Sequence, residues 1–513
     1  MVPSAMKKIR QSLIKELTRA DVLRSDGFIG GEWVKAASGK LFSVMDPTTG
    51  DEIIRVPAMA AADAEEAVDA AVGSFAEWKN KTLQDRARIL TKWSNLIGEH
   101  SNDLAGLMCL ESGKPKAEAK GEVNYARSFV GLYAGMQSNG LVLPPQTKKQ
   151  MLLAIKEPVG VCALLTPWNF PAAMFTRKAA PALMAGCTVV MKPAEDTPLT
   201  TMALARLWEK AGGPRGVLNV VTTPRDLVGE VGDVLTRHPD VRKISFTGST
   251  AVGKKLLAQS ADTVKRTSME LGGNAPFVVF DDANLDLAVE GAMGAKFRFG
   301  GQACIAPNRF MVQRGIHDEF VSRMSARIRG LRVGDGLDSR TNMGPLINLA
   351  AKDRVAGFVR DAMDKGAEPV VGGGALEHEM GPNFFPPSLF AGCSLDMRLS
   401  THEIFGPVVG VMKFDDADEA LAISNRQASP SAFFVPSRRS RSGLAGYVFS
   451  RDYSRALRFA EGLEVGMVGV NETAISSAVI PFGGVKESGL GREGSILGLD
   501  EYMEVKHICL GGI

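Results

Sequence analysis

No uninterrupted apolar run in this 513-residue chain is long enough to cross a bilayer, so no membrane partner is expected. Charge of one sign is also missing: the formal net charge is +3, with an ordinary 45% hydrophobic and 23% charged content, and no nucleic-acid partner is expected. Cysteine is scarce. The six, Cys109, Cys162, Cys187, Cys304, Cys393 and Cys509, lie far apart without C-x-x-C spacing, which excludes a zinc site and a secreted disulfide scaffold. Repeats of solenoid period are absent. What remains is a globular protein long enough for two or three domains.

The N-terminus, "MVPSAMKKIRQSLIKELTR", spaces basic and apolar residues as a helix does. It reads as a surface helix in a cytoplasmic protein, or as the remnant of a mitochondrial import peptide.

Helical periodicity fills residues 60–140, as in "AADAEEAVDAAVGSFAEW" and "DRARILTKWSNLIGEH". Strands and helices then alternate: "VGVCALLTP", "PAAMFTRKAAPALMAG", "CTVVMKP", "LTTMALARLWEKAG", "VLNVVT" and "VRKISFTGS". Short Val/Ile/Leu runs separated by helices predict parallel βαβ units, a sheet covered on both faces. A second series follows from residue 274, with "APFVVF", "LDLAVEGAMGAKF", a cysteine segment and "RFMVQRG". Two α/β domains with a cleft between them are expected.

Ligands of such sheets bind at the carboxyl ends of the strands. There stand "TPWNFP", "KPAEDTP" and "TGSTAVG". The last suits backbone N–H groups facing a phosphate, or a tight turn with no ligand; it is not G-x-G-x-x-G.

In "GGQACIAPNRF", Cys304 is a nucleophile or a buried space-filler. In "MELGGNAP", Glu270 ends an apolar strand and is a general base or a paired structural carboxylate. Asn169 in "PWNFP" is an oxyanion donor or a turn residue. No histidine lies near these three motifs, which weakens a Cys–His protease reading.

With "TPWNFP" (166–171), "KPAE" (192–195), "FTGSTAVG" (246–253), "ELGG" (270–273), "GQAC" (301–304) and "EIFGP" (403–407), in that order, the chain resembles the aldehyde dehydrogenase superfamily from about residue 26 onward. The resemblance implies an α/β fold: an N-terminal extension (1–25), a Rossmann-like parallel-sheet NAD-binding domain (26–141 and 161–272), a second α/β catalytic domain (273–488) and a small β oligomerisation element (142–160 and 489–513). A homodimer or homotetramer follows. It also implies that Cys304 attacks an aldehyde, that Asn169 and the Cys304 N–H hold the oxyanion, that hydride passes to a nicotinamide, and that Glu270 activates water on the thioester. Trp168, Lys192, Pro193, Ala194 and Glu195, then Gly248, Ser249, Thr250 and Gly253, and finally Glu403 and Phe405 would bind the cofactor; no metal is implied. The Glu195 carboxylate favours NAD over NADP, because it accepts from a ribose 2′-OH and repels a 2′-phosphate.

"MFTRK", "KFRFGGQAC" and "AISSAVIPFGG" place Arg177, Arg298 and Ser476 as in the succinate-semialdehyde dehydrogenase branch, where these positions bind the substrate's far carboxylate. Two guanidiniums near a thiol suit an aldehyde with an anionic tail. Succinate semialdehyde is the expected substrate; glutarate semialdehyde and a catalytically weak NAD-binding scaffold are the alternatives.

Three positions depart from the family. Phe299 stands where Asn is usual, and its bulk is expected to alter the packing of the cysteine loop. Ala306 replaces a second cysteine found in some relatives, so no redox switch is expected. Residues 426–442, "RQASPSAFFVPSRRSRS", carry roughly a dozen extra residues, a length tolerated in surface loops. This insert is a solvated loop, retained non-coding sequence, or an RNA-contacting or phosphorylated segment.

Overall fold

A computed structural model describes residues 4–136, 141–373, 381–426 and 440–512. Its largest sheet has the order Glu32–Val34, Gly27–Ile29, Leu218–Val220, Thr188–Lys192, Val161–Leu165, Val241–Thr247, Arg266–Glu270, Gly489–Leu490. The five strands from Leu218–Val220 to Arg266–Glu270 run parallel. Val161–Leu165 and Thr188–Lys192 are buried at every residue, as the unbroken apolar runs require. The chain builds outward from Val161–Leu165 to one side, then returns to lay Val241–Thr247 on the other. This reversal opens a crevice at the strand carboxyl ends, where Thr166 to Phe170 and Gly248 to Thr250 emerge.

Helices cover both faces. Pro171–Ala185 is buried at every position, and next to it Trp208 packs edge-on against Trp78 and Trp93, at 6.0 and 5.5 Å between centroids.

A second sheet has the order Glu368–Val371, Ser388–Ala391, Val408–Phe414, Arg309–Gln313, Pro276–Val279, Ala445–Phe449, Met467–Val470, parallel except at its first pair. The α/β class and the two parallel sheets thus agree with the sequence pattern.

The third sheet is antiparallel: Leu141–Leu143, Gln150–Pro158 and Met503–Gly511, the last two in register from Pro158↔Met503 to Gln150↔Gly511. Leu141, Val142 and Val505 stand exposed on it. Gly489 and Leu490, placed by sequence with this element, pair instead with Glu270 and Met269 of the first sheet.

The N-terminal helix Ser4–Arg19 is built into the fold. Leu17 is buried, and Arg10 pairs with Asp46 and with both oxygens of Asp335 (2.7 and 3.0 Å). Most of the insert, 427–439, lies outside the described residues; at its base the Ser440 N–H donates to the Asn425 carbonyl at 2.7 Å. No helix among the described residues is long and apolar enough to cross a membrane.

Candidate active site

Helix Leu285–Phe297 ends and the chain turns through three left-handed residues, Phe299 (φ 48°), Gly300 (58°) and Gly301 (76°), toward Cys304. A Cβ on Gly301 would lie 2.4 Å from the Gly406 carbonyl, so this close approach requires glycine. A non-glycine residue in this region costs about 1–2 kcal/mol. Phe299 offsets that cost by burial. Its N–H donates to Glu118 Oε2 at 2.8 Å, its ring meets the Trp168 and Phe170 rings edge-on at 6.2 Å, and the Lys114 ammonium sits 4.4 Å from its centre. The departure from Asn is thus accommodated as a packed left-handed turn. Gln302 locks the loop, donating to the Phe299 and Pro345 carbonyls (3.1 and 3.3 Å) and accepting from Ile347 N–H (3.0 Å).

Cys304 forms the wall between two cavities. Burial pushes its thiol up to about 12, with Arg177 pulling against this and Glu403 and Glu270 adding to it. The resting sulfur is therefore protonated, and attack requires a proton acceptor.

The smaller cavity, ≈ 180 Å³, lies at the strand ends of the first sheet. Trp168, Asn169, Gly248, Ser249, Glu270, Glu403 and Phe405 line it together with Cys304. Asn169 Nδ2 donates to the Gln302 carbonyl at 2.9 Å, which orients the amide and leaves its second N–H for another acceptor. The Asn169 backbone carbonyl accepts from Lys114 Nζ at 2.9 Å.

Glu270 is buried and neither carboxyl oxygen has a hydrogen-bond partner among the described residues. Burial raises it well above the usual carboxylate range; Glu493 adds to the rise, while Arg177 and Lys178 oppose it. Glu403 is pushed up to about 7 by burial and accepts from Gly273 N–H at 3.4 Å.

Lys192, Pro193, Ala194, Glu195, Thr250 and Gly253 do not line this cavity. Lys192 ends its strand with Nζ 3.9 Å from Glu195, Pro193 to Glu195 follow it, and Thr250 and Gly253 occupy the first turn of helix Thr250–Ser260. Ser249 caps that helix through Val252 N–H, and the first turn carries no acid. These features fit a dinucleotide. An acid-free helix N-terminus favours phosphate, and the Thr166 and Thr247 hydroxyls beside the crevice are buried without partners among the described residues.

The larger cavity, ≈ 280 Å³, brings together Arg177, Arg298 and Ser476 with Cys304. Arg177 is buried against the Phe482 ring, 4.2 Å from its centre, and ion-paired to Glu493, which also pairs with Lys178. Arg298 lies 5.2 Å over the Phe170 ring and has no ion-pair partner among the described residues. Ser476 Oγ is hydrogen-bonded to the Tyr125 hydroxyl.

Sequence reasoning missed Glu118, Glu122 and Tyr125, which line this cavity from helix Lys116–Ala134, and Arg354, which lines the smaller one. Burial pushes Glu118 up to about 7, with the Phe299 N–H, Lys114 and Arg298 opposing. Glu122 pairs with buried Lys114 and accepts from Ala172 N–H at 2.9 Å, fastening this helix to the start of Pro171–Ala185. No local pattern marks these residues; the "KP" and "AEAKGE" segments look like any solvated helix start.

Such a molecule is an α/β protein with two large, mainly parallel sheets, and its reactive-residue candidates gather in the two cavities that Cys304 lines. The chain belongs to the aldehyde dehydrogenase family, whose model matches residues 33–508. It is 48% identical to the 3-sulfolactaldehyde dehydrogenase of Pseudomonas putida, over 97% of this chain and 99% of that one. It is 47% identical to the succinate-semialdehyde dehydrogenase [NADP(+)] of Escherichia coli (strain K12), over 97% of this chain and 100% of the relative. Among solved structures, betaine aldehyde dehydrogenase from Staphylococcus aureus in complex with NAD+ superposes with a TM-score of 0.92 at 33% identity, covering 98% of this chain and 97% of the other.

Proposed function

We propose that this protein oxidises an aldehyde with an anionic tail, succinate semialdehyde to succinate, with NAD as the preferred acceptor. The observation that carries this reading is the meeting of Arg177, Arg298 and Ser476 in one cavity with Cys304. Glu493 is shared between Arg177 and Lys178, Glu122 is taken up by Lys114, and Arg298 has no ion-pair partner among the described residues, so the two guanidiniums keep capacity for a carboxylate. Relatives named for succinate semialdehyde support the choice of tail.

The Cys304 sulfur gives its proton to the ionised form of Glu270 in the same cavity, which passes it to solvent, and adds to the aldehyde carbon, forming a tetrahedral oxyanion. The free N–H of Asn169 and the Cys304 backbone N–H stabilise that oxygen. The dinucleotide, when bound, supplies the hydride acceptor. Once hydride has left, the carbonyl re-forms as a thioester on Cys304. Glu270 takes a proton from water as the water oxygen adds to the acyl carbon, the C–S bond breaks, and the leaving sulfur regains that proton from Glu270 as the acid is released. The raised affinity of Glu270 for protons makes it a stronger base once ionised.

Trp168, Lys192 to Glu195, Gly248 to Thr250, Gly253, Glu403 and Phe405 are proposed to hold the dinucleotide. Glu195 supports NAD by charge; the Escherichia coli relative is named for NADP(+), so the two acceptors require direct comparison. The exposed apolar residues of the three-stranded sheet support assembly into a homodimer or homotetramer through that surface.

A sulfonate tail is the second reading, favoured by the Pseudomonas putida relative's name and by the same arginines. The experiment is a comparison of kcat/KM for succinate semialdehyde, glutarate semialdehyde, 3-sulfolactaldehyde and a neutral aldehyde, each with NAD and NADP. Succinate semialdehyde with NAD should lead. A neutral aldehyde used equally well would remove the anionic-tail reading.

A further inference from the structure

Lys296 is a fully buried lysine that the reaction above does not use. It is the penultimate residue of helix Leu285–Phe297, at the entrance to the Cys304 loop, and Asn308 stands at the exit. Lys296 Nζ donates to Asn308 Oδ1 at 3.3 Å, closing the loop at its neck. The same oxygen accepts from the Ile404 N–H at 3.4 Å, the backbone link between Glu403 and Phe405. Phe405 itself is left-handed, φ 52°, a conformation that needs support from its surroundings. The Gly301 approach to the Gly406 carbonyl lies beside this joint, and a Cβ on Gly301 would also come within 3.0 Å of the Lys296 carbonyl.

From this geometry we infer that Lys296 and Asn308 are positioning residues that tie the nucleophile loop to the Glu403–Phe405 turn, and thereby set the affinity for the nicotinamide end of the dinucleotide. The inference rests on the proposed role of that turn in holding the cofactor. Burial lowers Lys296 to about 7, with the Glu403 carboxyl opposing that fall, so the ammonium charge is not secure near neutral pH. The joint therefore depends on donation to Asn308 more than on charge, and a neutral donor should replace the lysine.

The test is fluorescence titration of the full-length protein with NADH and NADPH, alongside KM for the aldehyde and melting temperature. Lys296→Met and Asn308→Ala should each weaken dinucleotide binding about ten-fold, the worth of one buried hydrogen bond, and move the aldehyde KM less than about two-fold. Lys296→Gln should recover affinity to within about three-fold of wild type. Unchanged Kd in either of the first two variants, a loss no smaller in Lys296→Gln, or an aldehyde KM rising in step would overturn the inference. If Lys296→Met does not fold, Asn308→Ala with Lys296→Gln carries the same comparison. Failure of the wild-type protein to bind either dinucleotide would instead sink the cofactor reading on which this rests.

Discussion

On one side of Cys304 the cavity is walled by strand ends and the turns that follow them: Pro167 to Phe170, Thr247 to Ser249 and Glu270 to Gly272. On the other, helix side chains make the wall, Glu118 to Tyr125 and Met174 to Arg177, closed by Arg298, Ser476 and Phe482. The first surface stands mainly on turns, Gly248 and Gly272 among them, presented by a sheet that fixes where its strands end. The second is an ion-pair assembly in which Arg177 shares Glu493 with Lys178, and its charge depends on residues more than three hundred positions apart. A surface fixed to strand ends suits a ligand common to a family; a surface of helix side chains can be re-tuned for each substrate without disturbing the sheet.

The shared wall gives the largest effect. Cys304→Ala should abolish turnover by at least about 10⁴-fold while leaving NADH binding within about two-fold, as read by stopped-flow and fluorescence titration. Comparable loss of both would mean the two cavities are not separable at this residue.

Arg298→Ala isolates the larger cavity. Its guanidinium makes no ion pair among the described residues and only adds to the charge field around Glu118, so kcat/KM for succinate semialdehyde should fall roughly 10²-fold against less than about three-fold for a neutral aldehyde. Steady-state kinetics on the pair decide it, and equal losses would break the contrast between the cavities.

The smaller cavity is probed from its far end by Glu195→Gln. Loss of the carboxylate should raise the NADP to NAD ratio of kcat/KM by about ten-fold, since repulsion of the 2′-phosphate disappears while an acceptor remains. A ratio that does not move would detach Glu195 from cofactor choice.

Glu493→Gln tests whether the ion-pair assembly reaches across to Glu270. The Glu493 charge raises the proton affinity of Glu270 and also neutralises the cations that lower it, so the substitution should lower that affinity. The ascending limb of the deacylation pH profile should then move to lower pH. No shift, in a variant that still folds, would confine the assembly to the tail side.

The smallest effect belongs to the insert. Because Ser440 N–H already meets the Asn425 carbonyl at 2.7 Å, joining Arg426 directly to Ser440 should leave kcat/KM within about two-fold, measured against the full chain. A larger loss would show that residues 427–439 bear on the site.

Legibility in the sequence follows the same division. The strands and helices from Val161 to Arg329 were readable because each is a contiguous run with its own period and stop signal, as with "VGVCALLTP" before its turn. Cys304, Asn169 and Glu270 were found because each sits in a short motif at a turn. Glu118, Glu122, Tyr125, Lys114 and Glu493 were not, because a buried charged or phenolic side chain has the same letter as a solvated one. The left-handed Phe299 was visible as a departure, but its support by Glu118, Trp168, Phe170 and Lys114 was not.

By itself, then, the sequence determined the α/β alternation, the order of the turns and the identity of the residues at the strand ends, since these depend on local periodicity and backbone freedom. Only the tertiary structure decided that Arg177 is half-neutralised, that Glu270 is stripped of partners, that Gly489 joins the first sheet, and that Lys296 and Asn308 close the nucleophile loop onto the Glu403 turn. Desolvation and charge pairing depend on distance in space, and a chain this long brings together residues that no local window contains.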